Sequence, residues 1–209
     1  MKQNYQLKLD GLLSRLRADN RRPSLLLHAC CAPCSSYVLE YLSEYFDITL
    51  FFYNPNIFPE AEYRYRAEEL ARLVGQMGLA DKVALLVGDY EPSEFDAVAK
   101  GREALPEGGS RCADCYRLRL KKTAQLAAER GFDYFTTTLS ISPYKNAEWL
   151  NVIGEEEGLA VGVAYLPSDF KKRNGYKRSC ELSLQYGLYR QNYCGCVYSK
   201  EAATKSNPS

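Results

Sequence analysis

Seven of the eight cysteines in this 209-residue chain fall into three tight groups: Cys30-Cys31-x-x-Cys34, Cys112-x-x-Cys115 and Cys194-x-Cys196. Cys180 stands apart and reads as a bystander. Thiolates are soft donors, so such groups suit zinc or an iron–sulfur cluster, or they carry disulfide chemistry. The compartment decides which. The opening stretch "MKQNYQLKLDGLLSRLRADNRRP" lacks the unbroken apolar core of a secretory signal. No later run approaches the ~18 apolar residues of a membrane span. A cytoplasmic protein is expected, and thiols there stay reduced. Eight cysteines are also too few for a disulfide scaffold of this length. Clustered thiols in that setting bind metal or do redox work.

Spacing alone makes Cys31-x-x-Cys34 and Cys112-x-x-Cys115 a two-pair, four-thiolate set, which fits structural zinc as well as an iron–sulfur cluster. Three features weigh against zinc. The first group sits at a strand-to-helix junction rather than on hairpin-like turns, Cys30 exceeds a closed four-ligand site, and the separate Cys-Gly-Cys still needs a task. A thiol-peptidase dyad would have to use His28, the only histidine. A buried histidine at a strand end, bonded to backbone, is the simpler reading. In "YCGCVY", residues 193–198, a disulfide between residues i and i+2 needs a sharp turn, and Gly195 supplies the backbone freedom. Such a small ring is strained and readily reduced, so the pair could store two electrons. The alternative is two inert thiols.

The elements that must position these residues alternate in type. Residues 4–17 read as an amphipathic helix with Leu7, Leu12, Leu13 and Leu16 near one side. "SLLLHA" is of strand length, with a helix following near residues 36–45. "DITLFFYNP" is a second strand, broken by Asn54-Pro55-Asn56. "PEAEYRYRAEELARLVGQMG" is helical, "KVALLVGDY" a third strand, "RCADCYRLRLKKTAQLAAERG" a long helix and "FDYFTTTLS" a fourth strand. "NAEWLNVIGEEEG" is helical, and "LAVGVAYLP" adds a short strand. This alternation predicts an α/β fold with a largely parallel sheet and helices on both faces. One domain is expected over 23–198, preceded by a helical extension, 1–22, and followed by a flexible tail, 199–209. Ligand crevices in such folds lie beyond the carboxyl ends of the strands. Cys30–Cys34 follow the first strand, "YNPN" the second and "TTTLSISPYKN" the fourth. The excursion "YEPSEFDAVAKGREALPEGGSRC" could carry Cys112 and Cys115 over the same mouth.

Net charge is +1, but residues 166–200 hold seven Lys/Arg against two Asp/Glu. "DFKKRNGYKRS" and "YGLYRQNY" interleave cations with tyrosines, a composition that suits phosphate and unpaired bases. A solvated basic face would read the same way.

Five separated motifs in one order, "HACCAPCSS", "FFYNPNIFPEAEYRYR", "RCADCYRLRL", "TTLSISPYKN" and "DFKKRNGY…ELSLQYGLYRQNYCGC", give the chain a resemblance to the cobalamin-independent epoxyqueuosine reductase family, QueH. The likeness runs from about residue 24 to 198. It implies an adenine-nucleotide-hydrolase-like, Rossmann-type three-layer sandwich, a [4Fe-4S] cluster, and reduction of epoxyqueuosine in the tRNA anticodon loop to queuosine. By resemblance, Cys30, Cys31, Cys112 and Cys115 match the cluster ligands, and Cys194 and Cys196 match a redox-active disulfide pair that acts in catalysis. Spacing would instead pair Cys31 with Cys34. With the family's set adopted, Cys34 is held for a second metal, a mononuclear iron, together with Asp114. Neither residues 1–22 nor Cys180 gains a role this way. Tyr53, Tyr144 and Asp114 are candidates to protonate the departing oxygen, and the electron donor is unspecified. Two rival classes stand beside this reading. One is a nucleotide-dependent tRNA-modifying enzyme of the same fold, such as a thiolase, although "CCAPCSS" has no glycine for a phosphate loop. The other is a non-enzymatic zinc RNA-binding module, which leaves the Cys-Gly-Cys without a task.

Overall fold

Short aliphatic and β-branched runs build the sheet. In the computed structural model, which describes residues 3–206, these are β1 (Ser24–His28), β2 (Asp47–Phe52), β3 (Ala84–Val87), β4 (Tyr134–Thr137) and β5 (Ala164–Tyr165). All pairings are parallel, in the order β3-β2-β1-β4-β5. β1 is central, and Leu25–His28 are buried without interruption, as a parallel strand covered on both faces requires. The chain moves outward through β2 and β3, then crosses back to place β4 on the other side of β1. That reversal opens a crevice at the carboxyl ends of β1 and β4.

Eight helices accompany the sheet among the described residues: α1 (Tyr5–Ala18), α2 (Ala32–Leu42), α3 (Glu60–Gln76), α4 (Pro92–Ala99), α5 (Ser110–Glu129), α6 (Ala147–Val161), α7 (Gly175–Gln185) and α8 (Val197–Ser206). Alternate residues of β1 feed two cores. Leu25 and Leu27 pack with Leu9 and Leu13 of α1, Leu39 of α2 and Leu70 of α3. Leu26 packs on the opposite face with Leu120 of α5 and Leu150 and Ile153 of α6. The result is a three-layer Rossmann-type sandwich, as the alternation of elements predicts.

Several boundaries differ from the sequence pattern, each for a local reason. The buried stripe of α1 is Tyr5, Leu9, Leu13 and Leu16, whereas Leu7 is 62% exposed; Leu7 lies two residues off the i, i+4 register that faces the sheet. α2 begins at Ala32, not near residue 36, because Pro33 occupies the first turn, where its missing N–H is no loss. The excursion after β3 contains α4, and the basic stretch, to which the pattern assigned no element, runs into α7. Residues 199–206 of the expected tail continue in α8, while 207–209 lie outside the described residues.

Candidate metal and redox centre

The strand-to-helix junction places three thiols together. Cys30 follows β1, Cys31 is the N-cap of α2, and Cys34 lies in its first turn. Their sulfurs all lie within 4.8 Å of one another, and Cys30 Sγ is 3.8 Å from Cys31 Sγ. The trio can hold a metal ion. Thr138, on the 3₁₀ turn that follows β4, accepts from the Cys30 backbone N–H at 3.2 Å and donates its hydroxyl to Cys30 Sγ at 3.4 Å. Hydrogen bonds from Cys31 and Cys34, then Thr138, hold the Cys30 thiol well below its usual range. Cys31, bonded to Cys30, is pushed up to about 12, and Cys34 is raised by both neighbours.

His28 stands beneath this group, fully buried. Its Nδ1 is 2.8 Å from Thr137 Oγ1 and its Nε2 is 3.0 Å from the Tyr53 carbonyl. The carbonyl can only accept, so Nε2 carries the proton and Nδ1 accepts from the hydroxyl. Burial, reinforced by Arg119, lowers its pKa to about 4. A neutral histidine with both nitrogens engaged serves no Cys–His dyad.

A second set of thiols meets from two directions. Cys112 and Cys115 lie in the first turns of α5, whose N-terminus is at the same end of the sheet as that of α2. Cys194 and Cys196 come from the loop before α8, and all four line a small cavity of about 20 Å³. Gly195 makes the loop possible: its φ is +117°, and its carbonyl accepts from Phe58 N at 3.0 Å. Burial raises Cys115, and burial with the neighbouring Cys194 pushes Cys196 up to about 12. Both members of the Cys-Gly-Cys are free thiols here.

Between the two sets opens a cleft of about 780 Å³, whose walls include Cys30, Cys31, Cys34 and Cys194. Three buried cations also face it: Arg66, Arg119 and Lys145. Arg66 pairs with Glu62 at 2.7 Å, and Lys145 with Glu107 at 3.2 Å. Burial alone would depress Lys145, but Cys194, Tyr116 and Glu107 outweigh it and leave its pKa raised. None of these cations was singled out from sequence. The signal for two of them was present: Arg66 and Arg119 occupy the same helical register as the buried Tyr63/Leu70 and Tyr116/Thr123. An arginine on a core-facing stripe needs a partner inside.

The remaining candidates divide. Tyr144 is 78% exposed and lines the cleft. Tyr53 lines neither cavity, and its hydroxyl donates to Glu94. Asp114 is ion-paired with Arg102 and also lines neither cavity. In the basic stretch, Lys171 pairs with Asp169 at 2.8 Å, Arg173 with Asp10 at 2.5 Å and Arg178 with Glu40 at 2.7 Å. Most of its charge is therefore neutralised within the fold, while Lys172 and Lys177 are exposed. Among the described residues, no helix is long and apolar enough to cross a membrane.

A family model described as Epoxyqueuosine reductase QueH matches residues 25–202, which span β1 through most of α8. The chain belongs to the QueH family. Proteins named Epoxyqueuosine reductase QueH from Streptococcus pyogenes serotype M1 and Staphylococcus epidermidis are 46% and 44% identical to it. Those alignments cover 94% of this chain and 78% and 84% of the relatives. A QueH protein from Thermotoga maritima is 37% identical over 84% of this chain and 90% of its own. Neither rival class, nucleotide-dependent tRNA modification or a zinc RNA-binding module, is favoured by these matches.

Proposed function

We propose that this chain reduces the epoxide of epoxyqueuosine in the anticodon loop of tRNA to queuosine, with reducing equivalents handled by an iron–sulfur cluster and the Cys194/Cys196 dithiol. Family membership carries the reaction; the convergence of seven thiols on one cleft and its adjoining cavity supports the cofactor. The donor set fits a cluster on its chemistry. Soft thiolates are grouped at the helix N-termini, largely out of solvent, with buried cations to offset their charge. Cys30 and Cys31 from one side and Cys112 and Cys115 from the other would hold a [4Fe-4S] cluster, which supplies electrons one at a time. Cys34 is left for a second, mononuclear iron; Asp114 would have to exchange Arg102 for that metal.

The remaining chemistry falls to side chains. Removing the oxygen breaks two C–O bonds, forms a C=C bond, consumes two electrons and two protons, and releases water. Oxidation of the Cys194/Cys196 dithiol to a disulfide yields two electrons and two protons, so the exchange balances for one turnover. An external reductant of unspecified identity must then reopen the disulfide. Lys145, held protonated beside Cys194, keeps a proton at Nζ next to the pair, and the exposed Tyr144 offers a second hydroxyl at the mouth. Tyr144, Tyr176 and Tyr193 line the cleft and supply ring faces for a splayed base, the usual way RNA loops are read. Arg190 in the same wall, with exposed Lys172 and Lys177, would meet phosphates. A tRNA substrate would fit work in the cytoplasm.

The test is anaerobic purification with iron and sulfide analysis, followed by incubation with epoxyqueuosine-containing tRNA and mass analysis of the nucleosides. Bound iron and sulfide with conversion to queuosine are expected. Zinc alone in an active protein would remove the cluster from the reading, and no conversion by iron-loaded protein with dithionite would overturn the reading itself.

A further inference from the structure

We infer that Arg119 is the counter-cation of the thiolate centre and sets its reduction potential. This rests on the iron–sulfur reading above and deepens it. Arg119 lies on α5, one turn beyond Cys115, and its residue is 1% exposed. Its Nε donates to the Cys115 carbonyl at 3.1 Å and its Nη1 to Asn54 Oδ1 at 3.4 Å. Its Nη2 is buried with no hydrogen-bond partner. Among the described residues it has no carboxylate partner, unlike Arg66 and Lys145, which pair with Glu62 and Glu107. A buried guanidinium without a counter-ion carries a large desolvation penalty. The two cavities that it lines hold seven thiols, which are the groups able to supply negative charge when they bind metal.

Position completes the case. Arg119 lines both the cleft that holds Cys30, Cys31 and Cys34 and the cavity that holds Cys112, Cys115, Cys194 and Cys196. The guanidinium therefore stands between the two halves of the proposed ligand set, with Nη2 left over to donate. When the centre takes up one electron from a reductant such as dithionite, its charge becomes more negative by one. A fixed cation in a low-dielectric wall stabilises that added charge, and hydrogen bonds to cluster sulfurs act in the same direction. Arg119 raises the potential. A purely architectural role is the competing account, since Asn54 also holds the Ala29 carbonyl at 2.9 Å, next to Cys30.

Charge and architecture separate in a pair of variants. Arg119→Lys keeps the charge but loses the planar fork; Arg119→Met keeps much of the volume and loses the charge. Iron content, the visible band and the midpoint potential, the last by dye-mediated titration followed by electron paramagnetic resonance, are read without substrate. The expected result is a shift to more negative potential in Arg119→Met, with Arg119→Lys close to wild type and iron retained in both. If Arg119→Met fails to hold iron, retention in Arg119→Lys still supports the charge, and loss in both overturns it. Equal potentials in wild type and Arg119→Met, or equal shifts in both variants, also overturn the inference. Wild-type protein that holds no iron fails the underlying reading instead, and is recognised before any variant is made.

Discussion

Replacing Gly195 by alanine tests whether the turn carrying Cys194 and Cys196 depends on the absence of a side chain. Gly195 has φ +117°, and a Cβ there would stand 2.9 Å from Ile57 Cγ1 and 3.3 Å from Arg66 Nη1. Holding an L-residue at that dihedral costs about 1–3 kcal/mol. Ile57 is itself 1% exposed and packed in the core, so overpacking adds about 1–3 kcal/mol if nothing yields. The loop escapes part of this by shifting, which breaks the bond from Phe58 N and forfeits about 1 kcal/mol. Gly101 is the control, because its φ is +75° and nothing lies within 4 Å of its Cβ position. Gly101→Ala should lose only the dihedral term, about 1–2 kcal/mol. Urea unfolding of both metal-free variants measures the difference, and product formed per enzyme without added reductant measures the thiol pair. Gly195→Ala should be the less stable by about 1–3 kcal/mol and should form less product. Equal stability with unchanged product would refute the close-packed turn.

Single Ser substitutions at Cys30, Cys31, Cys112 and Cys115 should each lower bound iron and abolish turnover, because an alkoxide is a harder ligand than thiolate; Cys180→Ser should do neither, and full iron in all four variants rejects the ligand set. Cys194→Ala and Cys196→Ala should keep iron and tRNA affinity while losing multiple turnover, with the double variant no worse than either single; wild-type protein that converts substrate while both thiols stay free would reject the relay. Lys172→Glu with Lys177→Glu should weaken tRNA binding and flatten its salt dependence by about 0.7–0.9 for each phosphate no longer neutralised. Reversing Lys171 and Arg173 should instead lower stability, since their partners Asp169 and Asp10 lie in the fold. Asp133 accepts from Ser24 N and Oγ at 2.8 and 2.7 Å, and these bonds hold its carboxyl below the usual range. Its contribution is present above the ordinary carboxylate pKa and is lost as pH falls through the lowered one. Asp133→Asn should remove about 1 kcal/mol at neutral pH and flatten the acid limb of stability; an unchanged acid limb counts against it.

What could be read without coordinates follows the range of the interactions. β1 was legible because "SLLLH" is a continuous apolar run, the pattern of a central parallel strand, and the thiol groups were legible because each spans at most five residues. Pro33 is visible in the sequence, yet a proline opens a helix as readily as it ends one, and so the start of α2 lies earlier than its pattern suggests. The pairing of charges was not legible at all. Arg178 meets Glu40 across 138 residues, and no local pattern distinguishes such a cation from one that faces solvent. α7 was hidden for a related reason: it opens from Asn174 at φ 62°, and only glycine fits at the next position, because a Cβ on Gly175 would meet the Phe170 carbonyl at 2.0 Å. The same distance effect concealed Arg119, whose partner Asn54 is 65 residues away.

The bond between the Cys30 backbone and Thr138 spans 108 residues of chain, and this sets a schedule for synthesis. At about 5–20 residues per second the ribosome needs roughly 5–20 s to deliver β4 and its 3₁₀ turn after the trio has been made. During that interval Cys30 lacks its threonine partner and the trio lacks the wall that follows β4. A growing chain therefore presents Cys30, Cys31 and Cys34 to oxidants and to whichever metal arrives first, and the order of translation makes correct loading a task for the finished fold.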